Sequence, residues 1–323
     1  MGVKNVDDDL IRAPAIKGIV EVPACKQELV SVDQLEYAMA VAEAAAREAA
    51  EVIMQYRFKV LVKQKDAGEG PVTEADLAAD RIIRGHIETA FPGDTCISEE
   101  SFEGVGNAVL PTKGRVWHVD PLDGTKCYID PNSSDFCIMI GLVIDGVPAA
   151  GLIMEPATGR LWKGVNGQEY RQAWHMAPGE APTQLPPLPS TLASSQLRFG
   201  AAPPVHPRFE RLISEHVMPA RAVPKGSAGL KAMLIVDGES DMYTSGCKQI
   251  SIWDIAAAHA ILAAVGGGLC TLDLKPINYA QKQLRDGLFF YNPGLDGAMK
   301  ERVRGMYQHL AEQRRLREQQ AAH

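Results

Sequence analysis

The chain has no apolar run approaching the roughly 20 residues that a membrane-spanning helix requires, so a membrane-embedded protein is not expected. It has no excess of positive charge either. Lys and Arg number 33 against 40 Asp and Glu, a formal net charge of −7, which argues against a broad electrostatic surface for nucleic acid. The six cysteines form no Cys-x-x-Cys pair and no regular framework, and several lie inside apolar runs, so they read as buried thiols of a reducing compartment. Also missing are the Gly-x-Ser-x-Gly elbow of a serine hydrolase, a P-loop, the Rossmann glycine fingerprint and any internal repeat. The opening residues, MGVKNVDDDL, are acidic rather than signal-like, and valine at position 6 breaks the myristoylation pattern. Cytoplasm is the expected compartment.

What is present suits a globular protein: 323 residues, 46% apolar and 23% charged, enough for two domains or one large layered unit. Residues 1–30 mix charge and proline without a sustained period and read as an N-terminal extension. Near-helical spacing predicts a long amphipathic helix over 31–57, a strand at 58–62, a loop at 65–70 and a second helix starting near Thr73. A short strand at 95–97 runs into Ser98-Glu99-Glu100-Ser101, followed by a Gly-rich loop at 104–107. Residues 136–144 and 147–154, parted by Asp145-Gly146, predict an antiparallel meander buried on both faces. The proline-rich stretch 177–207 reads as a hinge between an α+β lobe at 31–176 and an α/β lobe at 208–323. In the second lobe Gly226-Ser227-Ala228-Gly229 opens a helix to Val236, Met242-Tyr243 suggests a strand, and Trp253-Asp254 heads an alanine-rich helix to Ala264. A last strand at 288–291 and a helix at 295–317 follow.

The most informative stretch is Trp117-His118-Val119-Asp120-Pro121-Leu122-Asp123-Gly124-Thr125-Lys126. Two carboxylates stand three residues apart, with a proline fixing φ between them and a glycine permitting a sharp turn behind them. Oxygens of Asp120, Asp123 and the Leu122 carbonyl can converge on a hard cation, beside the Thr125 hydroxyl. Taken alone, Asp-Pro-x-Asp-Gly is an ordinary turn signal. Three further acids stand at element boundaries, and each also has a structural reading: Asp76 as part of a Thr73 capping box, Glu99 as a loop acid, Asp254 as a favourable charge in a helix's first turn. Gathered in one place they repel by several kcal/mol unless cations are bound, so the set implies a divalent metal. With no histidine or cysteine at ligand spacing, the oxygen set points to magnesium rather than zinc, and magnesium to phosphoryl chemistry. Two anion-holding elements fit: the Gly226–Gly229 turn with Lys231 one turn on, and Lys126. Their plainer readings are a helix start and an exposed loop lysine. His118 and His259 lie in apolar elements and read as structural.

Glu99-Glu100-Ser101, Asp120-Pro121-Leu122-Asp123-Gly124-Thr125 and Trp253-Asp254-Ile255-Ala256-Ala257 resemble, in this order, the three signature motifs of the inositol monophosphatase superfamily of lithium-sensitive, magnesium-dependent phosphatases, over about residues 35–294. The resemblance implies an α+β / α/β fold, a layered αβαβα sandwich of the inositol monophosphatase / sugar phosphatase type. Within it, Asp-Pro-Leu-Asp-Gly-Thr-Lys with an aromatic, Tyr128, close behind it, the 65–76 segment ending in Pro-Val-Thr-x-x-Asp, and Gly246-Cys247-Lys248 are most similar to the 3'(2'),5'-bisphosphate nucleotidases. Those enzymes hydrolyse adenosine 3',5'-bisphosphate, a by-product of sulfate activation, to AMP and phosphate.

Carried over on that resemblance, Glu99, Asp120 and Asp123 with the Leu122 carbonyl hold two metals, and Asp254 completes the second. Thr125 and Glu99 position the attacking water, and Asp76 orients Thr125 and touches a third metal, making two or three Mg2+ ions. Gly124, Thr125, Lys126, Gly226, Ser227, Ala228, Lys231 and Asp254 meet the substrate. The branch usually has Glu where Cys127 stands, and its serine-histidine segment has no clear counterpart in 192–206. Both departures bear on substrate more than on reaction. The expected partner is a small phosphorylated molecule, not nucleic acid or membrane, with a homodimer left open. Two alternatives stand: an inositol or sugar phosphate phosphatase, and a metal-binding scaffold without catalysis, against which the presence of Thr125 and Asp76 speaks.

Overall fold

The computed structural model describes residues 30–57, 62–64, 71–101, 109–167, 169–192, 194–246 and 250–321. Residues 1–29 of the expected extension, most of the 58–62 strand, the loops at 65–70 and 104–107, and Cys247 and Lys248 lie outside these.

The chain starts with α1 (Val32–Tyr56), the paired strands β1 (Val62–Gln64) and β2 (Pro71–Thr73), and α2 (Glu74–Ala90). Both helices begin at capping boxes, Ser31 with Gln34 and Thr73 with Asp76, as the first-turn polar residues predict. Seven strands then build one sheet in chain order: β3 (Thr95–Ser98), β4 (Arg115–Asp123), β5 (Cys137–Ile144), β6 (Val147–Glu155), β7 (Arg160–Asn166), β8 (Arg171–Met176) and β9 (Thr183–Gln184). Helix α3 (Thr125–Ile129) lies between β4 and β5. Only the β3–β4 pair is parallel among them.

The rest of the chain gives β10 (Leu197–Ala201), α4 (Pro207–His216), β11 (Ala220–Pro224), α5 (Ala228–Val236), β12 (Met242–Ser245), β13 (Ile250–Ser251), α6 (Ala256–Ala264), β14 (Gly268–Cys270), β15 (Gln283–Leu284), β16 (Leu288–Tyr291) and α7 (Gly297–Ala321). Its five-stranded sheet has the order β11-β10-β12-β16-β14, while β13 and β15 pair separately.

Three apolar cores separate five layers. Leu35, Met39, Ile53 and Ile83 of α1 and α2 pack on one face of the first sheet, through Trp117, Ile138 and Leu152. Helices α5 and α6 fill the space between the two sheets, with Leu230, Ile235, Ala257 and Ile261 against Met139, Ile153 and Phe290. On the outer face of the second sheet, Ile213 of α4 and Val303 and Met306 of α7 pack on Phe199, Met242 and Phe289. This is the expected αβαβα sandwich. Strand β5 is apolar on both sides because helices cover both sides.

The close seat of α6 depends on a row of glycines directly opposite one another on β5, β6 and β7: Gly141, Gly151 and Gly164. A Cβ on Gly141 would stand 2.6 Å from Ala257 N, one on Gly164 would stand 3.0 Å from Ile261 Cα, and one on Gly151 would run into the Ala257 carbonyl. Glycine on three strands and alanine on the helix let two backbones meet.

Residues 177–207 differ from a hinge. They carry β9, which extends the first sheet, and β10, which pairs in parallel with both β11 and β12, so the second sheet starts at Leu197 rather than at 208. The prolines stand on either side of the segment Leu197-Arg198-Phe199-Gly200-Ala201, which keeps every N–H a strand needs. Among the described residues no helix is long and apolar enough to cross a membrane.

Candidate active site

The site is built where β3, β4, α2, α3, α5 and α6 end or begin. Strand β4 runs on through the Asp-Pro-Leu-Asp motif, but its pairing with β5 slips between Asp120 and Asp123. Pro121 has no N–H for the ladder, and the Leu122 N–H is donated to Asp120 Oδ1 at 2.9 Å, which holds that carboxylate over the bulge. Gly124 follows with φ +88, where a Cβ would also meet Asp135 O at 2.8 Å. Glycine alone suits that corner, and α3 starts from it.

Glu99 ends β3 beside β4, its N–H donated to Val119 O at 3.0 Å. Asp254 precedes α6 and is fixed by the Ser251 N–H on Oδ2 at 2.8 Å. Oxygens of Glu99, Asp120 and Asp254 lie within 4.8 Å of one another. Burial first, then the charges of Glu99, Asp123 and Asp254, pushes the Asp120 carboxyl well above the usual carboxylate range. Burial, then Glu99 and Asp123, does the same to Asp254. Carboxylates crowded in this way repel one another when ionised, and the group could hold a metal ion. The all-oxygen donor set fits a hard cation such as Mg2+.

Asp123, expected among the ligands, is near enough to act on the charges of Asp120 and Asp254 but falls outside the group of oxygens within 4.8 Å, and it is turned differently. Its Oδ2 accepts from Ser227 Oγ at 2.5 Å, Gly229 N at 2.8 Å and Cys137 Sγ at 3.8 Å, which ties it to the first turn of α5. All three bonds fall on one oxygen. The buried Asp76 serves two structures at once: Oδ2 accepts the Thr73 N–H at 2.9 Å and the Thr73 hydroxyl, while Oδ1 is 3.5 Å from Thr125 Oγ1. The same threonine hydroxyl is 3.2 Å from the Leu122 carbonyl. The capping reading of Asp76 and its expected link to Thr125 are therefore compatible.

The Gly226–Gly229 turn does start a helix, with Ser227 Oγ accepting the Leu230 N–H at 3.1 Å. Two of its amides are occupied by the chain's own acids: Gly226 N donates to Asp135 Oδ2 at 2.8 Å, and Gly229 N to Asp123. Lys231 is buried, donates to the Gly226 carbonyl at 3.3 Å and stands 4.6 Å over the Tyr243 ring, with burial lowering its pKa. Lys126 is exposed, and Cys127 and Ala228 are half-buried. His118 is buried and His259 half-buried, and desolvation pushes their pKa values down to about 3 and about 4. Neither reaches the acid cluster's chemistry as a neutral, apolar-packed ring.

Sequence reasoning missed Asp135, Lys225 and Glu155, which surround the α5 turn. The available signal was Glu155, a charged residue closing the apolar run of β6 and wholly buried.

Residues 34–303 match the model of the Inositol monophosphatase family. The 3'(2'),5'-bisphosphate nucleotidase CysQ of Escherichia coli (strain K12) is 29% identical over 255 residues, covering 77% of this chain and 94% of that protein. The histidinol-phosphatase of Mycobacterium tuberculosis is 31% identical over 251 residues, covering 75% and 89%. Among solved structures, an IMPase of Thermotoga maritima superposes with a TM-score of 0.64 at 22% identity, covering 86% of this chain and 99% of that one, a likeness of fold.

Proposed function

The chain belongs to the inositol monophosphatase family, a phosphoric monoester hydrolase by that membership, and from this premise we propose that it hydrolyses adenosine 3',5'-bisphosphate to AMP and phosphate with Mg2+. The observation that carries the reading is the cluster of Glu99, Asp120 and Asp254 oxygens within 4.8 Å, drawn from residues far apart in the chain. Glu99, Asp120, Asp254 and the Leu122 carbonyl, with Asp123 through Oδ1, would hold two or three ions. Bound Mg2+ supplies neutralisation of the scissile phosphate and a lowered pKa for water.

The chain's own groups do the rest. Asp76 accepts the Thr125 proton, which turns a lone pair of Oγ1 outward to orient the attacking water. Glu99 accepts that water's proton. Gly124, Thr125 and the exposed Lys126, with the Gly226–Ser227–Ala228 turn opposite, flank the phosphate. Displacement by water needs no covalent enzyme intermediate. The Asp-Pro-Leu-Asp-Gly-Thr-Lys run and the CysQ relative support the nucleotide substrate.

One observation favours a second reading. Lys231 is directed at Gly226 and Tyr243, so a doubly charged bisphosphate loses a cation expected to meet the substrate. A monophosphate without that group, such as histidinol phosphate, fits this as well, in keeping with the 31% identical relative. The test is phosphate release, with Mg2+, from adenosine 3',5'-bisphosphate, inositol 1-phosphate, a sugar phosphate and histidinol phosphate. The highest kcat/KM is expected for the nucleotide. Turnover of histidinol or inositol phosphate alone would replace the substrate, and Mg2+ binding without any turnover would leave a scaffold.

A further inference from the structure

Gly226, at the head of the turn that fixes Asp123, is held by an unbroken run of charges. A Cβ on it would stand 2.5 Å from Cys127 Sγ and 2.7 Å from Asp135 Cβ, so the turn lies directly on these residues. Its N–H is donated to Asp135 Oδ2 at 2.8 Å, and Asp135 Oδ1 is 2.8 Å from Lys225 Nζ. Lys225 also reaches Glu155 Oε1 at 3.1 Å. Glu155 is 0% exposed, and its Oε2 takes the Thr158 hydroxyl at 2.5 Å and Arg160 Nε at 2.9 Å.

A carboxylate that deep in the fold costs several kcal/mol unless it is paired, and apolar residues of similar volume often serve stability as well. Stability therefore does not account for the direction of the run, from β7 across the end of β6 to the α5 turn. Burial alone would lower the pKa of Lys225; its bonds to Asp135 and Glu155 outweigh that and hold the ammonium above its ordinary range. The next residue after Gly226 is Ser227, whose hydroxyl is on Asp123 Oδ2.

We infer that Glu155, Lys225 and Asp135 form a positioning relay that sets the Gly226–Ser227 turn and, through it, the rotation of the Asp123 carboxylate that leaves Oδ1 for a cation. The inference rests on the metal-centre reading above. None of the three is itself a ligand. Without the Lys225 ammonium, Asp135 and Glu155 confront each other as like charges, Asp135 leaves the Gly226 N–H, and Ser227 and Gly229 no longer hold Asp123 at one angle.

The test is calorimetric titration of Mg2+ into the full chain, with the Tm of each protein, for wild type, Lys225→Met and Lys225→Arg. Lys225→Met is expected to bind Mg2+ roughly tenfold more weakly, as loss of a partner behind a ligand does, with Lys225→Arg close to wild type. Asp135→Asn keeps an acceptor for Gly226 but removes the charge Lys225 needs; the same loss is expected there, and it decides the matter if Lys225→Met does not fold. Unchanged Mg2+ affinity with only a lowered Tm makes the run a structural brace and overturns the relay. Wild type that binds no Mg2+ overturns the metal centre and the relay together, whereas wild type that binds and variants that match it overturn the relay alone.

Discussion

Thr125 has one proton and two acceptors in reach, Leu122 O at 3.2 Å and Asp76 Oδ1 at 3.5 Å. On the proposed mechanism, removing the hydroxyl deletes the water's partner and leaves every carboxylate in place. Thr125→Val is therefore expected to lower kcat by about 10²–10³, the scale of a positioned proton acceptor, while Mg2+ affinity by calorimetry stays near wild type. Loss of both would make Thr125 part of the cation site instead. Proton linkage can be read at the same scale. The folded pKa values of Asp120 and Asp254 are raised. With chelator present their contribution to stability is complete below the unfolded carboxylate range, near 4, and is lost as pH rises through the raised values. Mg2+ competes with those protons. The Tm gain from Mg2+ should therefore widen between pH 4 and pH 8, and a gain independent of pH would sink the idea.

The desolvated histidines act in the opposite direction. His259 has its pKa pushed down to about 4, with the Tyr279 hydroxyl at 2.9 Å from Nδ1. Its contribution is complete above the unfolded value, about 6.5, and is lost as pH falls through 4, on the order of 3 kcal/mol. In saturating Mg2+, urea midpoints should fall between pH 7 and pH 4.5, and fall less in His259→Gln.

Among elements, α6 is the one on which site and fold meet. Its backbone is seated on Gly141, Gly151 and Gly164, and Asp254 stands just ahead of its first turn. Gly151→Ala would drive a methyl into the Ala257 carbonyl, which is backbone and cannot rotate away. Overpacking of this kind costs about 1–3 kcal/mol, and the displaced helix carries Asp254 with it. A lowered Tm together with weaker Mg2+ binding is expected; a lowered Tm alone would show that α6 can shift without moving the ligand. The ends of α1, α2 and α5 were readable from Ser31, Thr73 and Ser227, because a cap is a contact between residues three apart. Strands β7, β8 and β11 and helix α4 were not singled out: the strands do not alternate cleanly, and α4, although amphipathic, starts at Pro207 inside the stretch read as a hinge.

For the whole molecule, the core around α5 and α6 draws on both sheets, from Met139 and Ile153 of the first to Phe290 of the second. Neither half can open without exposing it. Unfolding in urea is expected to be a single transition, coincident by tryptophan fluorescence and far-UV circular dichroism. Two separated transitions would restore independent lobes joined by a hinge at 177–207.

Periodicity, caps and turn chemistry are relations between near neighbours, so the amino-acid sequence on its own determined most elements and put Asp76, Glu99 and Asp254 at their ends, whereas Asp120 stands inside β4 at its bulge. Which way those side chains face was decided by tertiary structure. The partners of Asp123 and Asp135 lie 104 and 91 positions along the chain, at Ser227 and Gly226. No local pattern encodes a bond of that span, and the same folding that supplies it turns Lys231 inward beneath the Gly226 carbonyl.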